Sequence, residues 1–192
     1  MKICFATNNP HKLQEVSRLL GDSFQVLSLK EINCEDELPE THKTLEGNSF
    51  EKAAYVYQRY GISCIADDTG LEVNALDGAP GVYSARFAGP QKDSHDNTQL
   101  LLEKLKGVTD RSARFRTVIT FIHEGNVHSF EGVVYGQIAD QLRGNEGFGY
   151  DPVFIPEGYD ISFAEMTLEQ KNHISHRGIA IRKLVDFLRN LR

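Results

Sequence analysis

Ile62-Ser63-Cys64-Ile65-Ala66-Asp67-Asp68-Thr69-Gly70 reads as a short apolar strand, 62–66, that runs straight into two adjacent carboxylates and a glycine. Upstream, residues 2–6, with Ile3, Cys4 and Phe5, give another such strand, and 24–29 a third. Helices separate them. Asn9 can cap the first, with Pro10 at its first position. Leu13, Val16, Leu19 and Leu20 then share one face until Gly21. After a polar, acidic loop (30–43) a second helix runs from Thr44 to Tyr60 and stops at Gly61. Phe50, Ala53, Ala54 and Tyr57 are its expected inner face. Strands alternating with helices in this way argue an α/β fold.

Downstream the pattern changes. A loop rich in glycine and proline (77–90) leads to a helix over 96–106, then to long strands over 113–123 and 127–138. Glu124-Gly125-Asn126 between them predicts a hairpin. Phe115, Ile119 and Phe121 point one way and Val118 and Ile122 the other, so both faces are apolar and the pair belongs inside a sheet. A glycine-rich loop (143–151) and a final helix (175–190), with Ile179, Leu184, Val185 and Leu188 inward, complete the chain. No repeat or linker interrupts it. The expectation is one domain over 1–192 with a mixed sheet.

Composition narrows the function. Apolar residues make up 40% and charged residues 25% of 192, which excludes collagen-like, low-complexity and disordered classes. The net charge of −6 argues against gripping a nucleic-acid backbone, but leaves room for a small anion in a local basic pocket. Cys4, Cys34 and Cys64 form no C-x-x-C pair, so neither a disulfide framework nor a zinc site is indicated. No apolar run reaches membrane-spanning length, and the N-terminus lacks a signal-peptide core. A cytoplasmic protein without a membrane or nucleic-acid partner is expected.

Five segments carry candidate chemistry. Thr7-Asn8-Asn9-Pro10-His11-Lys12 lies between a strand and a helix N-terminus, where free backbone N–H groups and the helix dipole favour a phosphate. The same residues also suit a simple capping turn. Asp67-Asp68-Thr69-Gly70 follows a strand, and alternation sends its carboxylates to opposite sides. One of them could then hold Mg²⁺, although Asp-Asp-Thr-Gly is also good turn chemistry. Pro80 to Phe87 mixes aromatics with Arg86. In Gly147-Phe148-Gly149-Tyr150-Asp151-Pro152 the glycines allow close backbone approach, Phe148 and Tyr150 offer flat faces for a base, and Asp151 could accept from a base N–H. Ser175-His176-Arg177-Gly178 opens the last helix, with Ser175 as cap and two donors behind it.

Taken together and in order, these segments resemble the inosine triphosphate pyrophosphatase family. The matching stretches are TNNPHK at 7–12, LPE at 38–40, GNSFEKA at 47–53, DDTGLEV at 67–73, PGVYSARF at 80–87, GFGYDPVF at 147–154, LEQKN at 168–172 and SHRGIA at 175–180. They span nearly the whole chain. The resemblance implies an α/β fold with a long twisted mixed sheet flanked by helices, two lobes with a nucleotide cleft between them, and a homodimer. It implies Mg²⁺-dependent hydrolysis of ITP, dITP and XTP to the monophosphate and pyrophosphate, cleansing the nucleotide pool.

By motif, Thr7, Asn8, Asn9, Pro10, His11, Lys12, Lys52 and Lys171 would bind phosphates. Glu40 and Asp68 would hold the metal, with Asp68 also the general base. Thr69 would touch the substrate, and Phe148, Gly149, Tyr150, Asp151, His176 and Arg177 would form the base pocket. A donor facing the purine 6-oxo group would leave adenine's amino group unpaired against it. Relatives often have glycine at Asn8, serine at Thr69 and E-N-A where this chain has Gly47-Asn48-Ser49. Two rivals are a pyrophosphatase for other nucleotides, which the GFGYDP and SHRG segments disfavour, and a non-hydrolytic sensor, which Glu40, Lys52 and Asp68 disfavour.

Overall fold

A computed structural model describes residues 1–21 and 24–191. Its first strand, β1 (Lys2–Phe5), feeds helix α1 (Pro10–Leu20), and β2 (Gln25–Leu27) returns parallel to β1. Helix α2 (Leu45–Tyr60) leads to β3 (Cys64–Val73), which pairs parallel with β1 through Cys4↔Cys64 and Phe5↔Ile65. Then follow β4 (Pro80–Gly81), α3 (Ser94–Lys104), the hairpin of β5 (Ser112–His123) and β6 (Asn126–Ile138), β7 (Phe154–Pro156), α4 (Leu168–Ile174) and α5 (His176–Asn190). The sheet order is β2-β1-β3-β5-β6-β7, with β4 on β3. The sheet is mixed: β1 is parallel to both neighbours, while β4 on β3 and β7 on β6 are antiparallel.

Two compact units divide the chain. The first holds 1–68, 117–132 and 177–192, and the second 69–116 and 133–176. Strand alternation sorts the first unit's core onto two faces. Ile3, Phe5, Ile65, Ile119 and Phe121 pack with Val16 and Leu20 of α1 and with Ile181, Leu184 and Leu188 of α5. Cys4, Ala6, Cys64, Ala66 and Ile122 pack with Ala53 and Val56 of α2. The second unit has its own core, including Leu71, Leu101, Leu105, Phe115, Ile138, Phe154 and Phe163.

Two expectations fail. β3 does not end at Ala66: it continues through Asp67-Asp68-Thr69-Gly70 to Val73, because β4 pairs with its far end (Leu71↔Gly81, Glu72↔Pro80). Gly70 permits this, since a Cβ there would lie 2.6 Å from the Gly81 carbonyl oxygen. The inner face of α2 is also rotated from the apolar one. Leu45, Asn48, Ser49, Lys52, Ala53 and Val56 are buried, while Phe50 is 46% exposed. The polar members of that buried stripe have partners on other elements, described next. The short β4, β7 and α4 had no counterpart in the sequence reading.

Candidate active site

Alternation along β3 continues past the apolar residues. Asp67 has the parity of Ile65 and faces α1 and α5; Asp68 has that of Ala66 and faces α2. Each carboxylate therefore meets a different set of partners. Asp67 Oδ1 accepts from Lys12 Nζ of α1 at 3.0 Å, and Asp67 Oδ2 from Arg177 Nε of α5 at 3.1 Å. Arg177 Nη1 also donates to the Glu15 carboxylate. Arg177 is 2% and Asp67 1% exposed, while the Lys12 side chain keeps 16% of its surface in solvent. Burial alone would raise the Asp67 carboxyl, but Lys12, Arg177 and Lys52 outweigh it and hold the group well below the usual carboxylate range. Burial lowers the Lys12 ammonium against the pull of Asp67.

Asp68 stands in a second network. Asn48 Nδ2 donates to its Oδ2 at 3.1 Å, and Lys52 Nζ lies 3.8 Å from its Oδ1 and 2.7 Å from Glu40 Oε1. Burial pushes the Asp68 carboxyl above its ordinary value, with Lys52 and Lys12 opposing. The same burial works against the Lys52 charge, but Asp68 and Glu40 outweigh it and raise its pKa. Two carboxylates share one lysine here. That oxygen set, carrying one surplus negative charge, fits a hard divalent cation, which commonly takes one or two protein carboxylates. Among the described residues, a group of three clustered potential ligands lies elsewhere: Asp93, His95 and Asp96, exposed at the start of α3, where Asp93 is the helix cap.

The N-terminus of α1 differs from expectation. Asn9 Oδ1 accepts from the backbone N–H groups of His11 (2.9 Å) and Lys12 (3.3 Å), and Pro10 has none. The donors expected to be free at 11 and 12 are thus taken by the cap. Thr7 Oγ1 accepts from the Asn9 N–H, while Asn8 and His11 are exposed. Thr69, half-buried, follows Asp68 on β3.

In the second unit, Asp151 organises the glycine loop. Its Oδ2 accepts from Phe148 N at 2.7 Å and from Lys171 Nζ at 2.8 Å. The turn needs Gly147, whose φ is +76° and where a Cβ would run into the Asp151 carboxylate. Lys171, 3% exposed, stands 4.7 Å over the Phe148 ring. Its charge is matched by Asp151 of the same loop. Phe148 is half-buried. Tyr150, expected to offer a flat face, is instead buried in the second core, its hydroxyl donating to the Ser84 carbonyl at 2.8 Å. Burial pushes that hydroxyl's pKa up. The Gly149 carbonyl accepts from Thr98 Oγ1. His176 stacks on Phe115, with ring centroids 4.6 Å apart. The unit boundary falls between His176 and Arg177, which keep different company.

Sequence reasoning missed Glu15 and Asn48. Both are polar residues on the buried side of a helix, which is the signal that could have found them.

Charged side chains just past the parallel pairing of β1 with β3 define an α/β protein with its polar site where such folds bind ligands. The Ham1 family model matches residues 3–187, and the chain belongs to that family. It is similar to the dITP/XTP pyrophosphatase of Porphyromonas gingivalis, 54% identical over 97% of each chain, and to that of Flavobacterium johnsoniae, 52% identical over 98% of each. Its backbone is similar to the solved Ham1 protein of Staphylococcus aureus, with a TM-score of 0.91, 38% identity and full coverage of both chains.

Proposed function

We propose that this chain is a nucleoside triphosphate pyrophosphatase that hydrolyses the non-standard purine nucleotides ITP, dITP and XTP to the monophosphate and pyrophosphate, with Mg²⁺ as cofactor. The observation that carries the reading is the Glu40–Lys52–Asp68 arrangement at β3, just past its parallel pairing with β1. The names of the relatives support the substrate class. Glu40 and Asp68 would hold the metal. When bound, Mg²⁺ supplies charge neutralisation at the phosphoanhydride and lowers the pKa of a coordinated water.

The chain's own residues do the rest. Lys12 and Lys52 exchange their carboxylate partners in part for phosphate oxygens, with Thr7, Asn8, Asn9, Pro10 and His11 lining the α1 entry. Phosphoanhydride cleavage needs charge stabilisation and an aligned water more than covalent help. Asp68 takes the proton from the attacking water. Thr69 touches the substrate. In the second unit Phe148 stacks on the base, Gly149 and Asp151 shape the loop, and Tyr150 anchors it. Lys171, paired with Asp151 in the free protein, would turn to a phosphate oxygen as Lys12 and Lys52 do. His176 and Arg177 donate to the purine 6-oxo group. A second copy of the chain is the partner in this reading, testable by light scattering, and the three unbridged cysteines support a cytoplasmic setting.

The test is pyrophosphate release from ITP, dITP, XTP, GTP, ATP and dUTP, with Mg²⁺ and with EDTA. The expected result is turnover of the first three, abolished by EDTA and restored by Mg²⁺. Equal turnover of ATP and GTP, or activity that survives EDTA, would overturn the reading.

A further inference from the structure

We infer that Asn48 and Glu51 are positioning residues that clamp the Glu40 segment onto α2, so that Glu40 and Asp68 stand on the same lysine; this rests on the reading of those two carboxylates as metal ligands. Residues 33–44 form neither helix nor strand, so no backbone ladder fixes Glu40. Three consecutive residues are instead held by α2. Lys52 Nζ takes Glu40 Oε1 at 2.7 Å. Glu51 accepts from the Thr41 N–H through Oε2 and from the Thr41 hydroxyl through Oε1, both at 2.8 Å. Asn48 Oδ1 accepts from the His42 N–H at 2.9 Å. Positions 48, 51 and 52 share one helix face. As the helix runs from 48 to 52, the loop runs back from 42 to 40, and the two are stitched antiparallel.

The Asn48 amide has a second end. Its Nδ2 donates to Asp68 Oδ2. The His42 N–H can only donate, so it holds Oδ1 toward the loop and leaves the amino group facing Asp68. One side chain thereby ties the Glu40 loop to the catalytic carboxylate and leaves Asp68 Oδ1 on the Lys52 side. The close approach also uses Gly47, where a Cβ would lie 2.5 Å from His42 Cβ. Glycine at 47, which departs from the common E-N-A pattern, matches the way His42 covers this turn.

The experiment uses Glu51→Ala, Asn48→Ala, Thr41→Val and Thr41→Ser, with Glu40→Gln as reference. Amide hydrogen exchange at Thr41 and His42 and Mn²⁺ binding by calorimetry are measured on the nucleotide-free protein. Pyrophosphate release is then followed against Mg²⁺ concentration. Loss of one hydrogen bond should speed exchange at the freed amide about tenfold, Thr41 in Glu51→Ala and His42 in Asn48→Ala. Removing the partner that orients a ligand should weaken Mn²⁺ binding about tenfold and raise the Mg²⁺ requirement in step. In Glu51→Ala, kcat should recover at saturating Mg²⁺. Thr41→Ser should behave as the parent, and Thr41→Val, which loses only the hydroxyl's bond and keeps the N–H bond to Glu51, should show a smaller effect than Glu51→Ala. Unchanged exchange in Glu51→Ala and Asn48→Ala, or faster exchange with unchanged metal binding in Glu51→Ala, would overturn the clamp. If Glu40→Gln also leaves Mn²⁺ binding unchanged, the metal reading has failed; if only the clamp variants do, the positioning role has failed.

Discussion

In the first unit, the cations Lys12, Lys52 and Arg177 are interleaved with the carboxylates Glu15, Glu40, Asp67 and Asp68. At the glycine loop of the second, the Lys171–Asp151 pair is set among a glycine turn and aromatic rings. The first region is held by charges that compensate one another, with Asp67, Arg177 and Glu15 buried, so removing one of these strands its partner. The second is held by packing and loop geometry, so a single change moves a ring or a turn before it exposes a charge. Mutations should accordingly separate stability from chemistry sharply in the first region and grade specificity in the second.

The largest expected effect comes from the two neighbours on β3. Asp68→Asn keeps the shape but removes a metal-ligand charge and the base, and turnover should fall by at least about 100-fold with little change in Tm. Asp67→Asn should do the reverse. It leaves Lys12 and Arg177 facing a neutral amide in a buried site, at a cost of about 3–5 kcal/mol in stability. Pyrophosphate release and thermal melting of both variants would break the comparison if Asp67→Asn melted like the parent. The acid limb sharpens it. The folded Asp67 carboxyl lies below its ordinary value, so the unfolded chain binds that proton more readily. Its contribution is full above about pH 4 and is lost as the pH falls below that. Asp67→Asn should flatten this part of a stability-against-pH curve.

A smaller effect is expected in the second region. Gly147→Ala would push a methyl group into the Asp151 carboxylate from a strained backbone. The ITP-to-ATP ratio of kcat/KM should then drop about tenfold, the scale of one charge-assisted hydrogen bond. Lys12→Ala, at a contact common to all triphosphates, should lower both substrates alike. An unchanged ratio in Gly147→Ala would remove the loop from base selection. The smallest effect belongs to Tyr150→Phe. It deletes only the bond to the Ser84 carbonyl and should cost about 1 kcal/mol in denaturant melts, with substrate preference unchanged.

The sequence alone determined the elements whose signals are local. Asn9 and Pro10 start α1 because a side-chain acceptor and a preset φ act within one turn. Gly125 sits in the β5–β6 connection, and apolar residues on both faces of β5 were enough to place it inside the sheet. The ordered motifs were enough to point to the family. Tertiary structure decided what depends on partners far along the chain. Phe50 looked inward by periodicity, yet α2 turns Asn48, Ser49 and Lys52 to the inside, because Asp68 and Glu40 are there to receive two of them. β3 runs on through Asp67 and Asp68 because β4 meets it. Arg177 bonds Asp67 and Glu15 across 110 and 162 residues. Apolar periodicity records what a segment hides from water. It carries no record of which distant charge makes burying a polar side chain favourable, and the candidate site is built from such pairs.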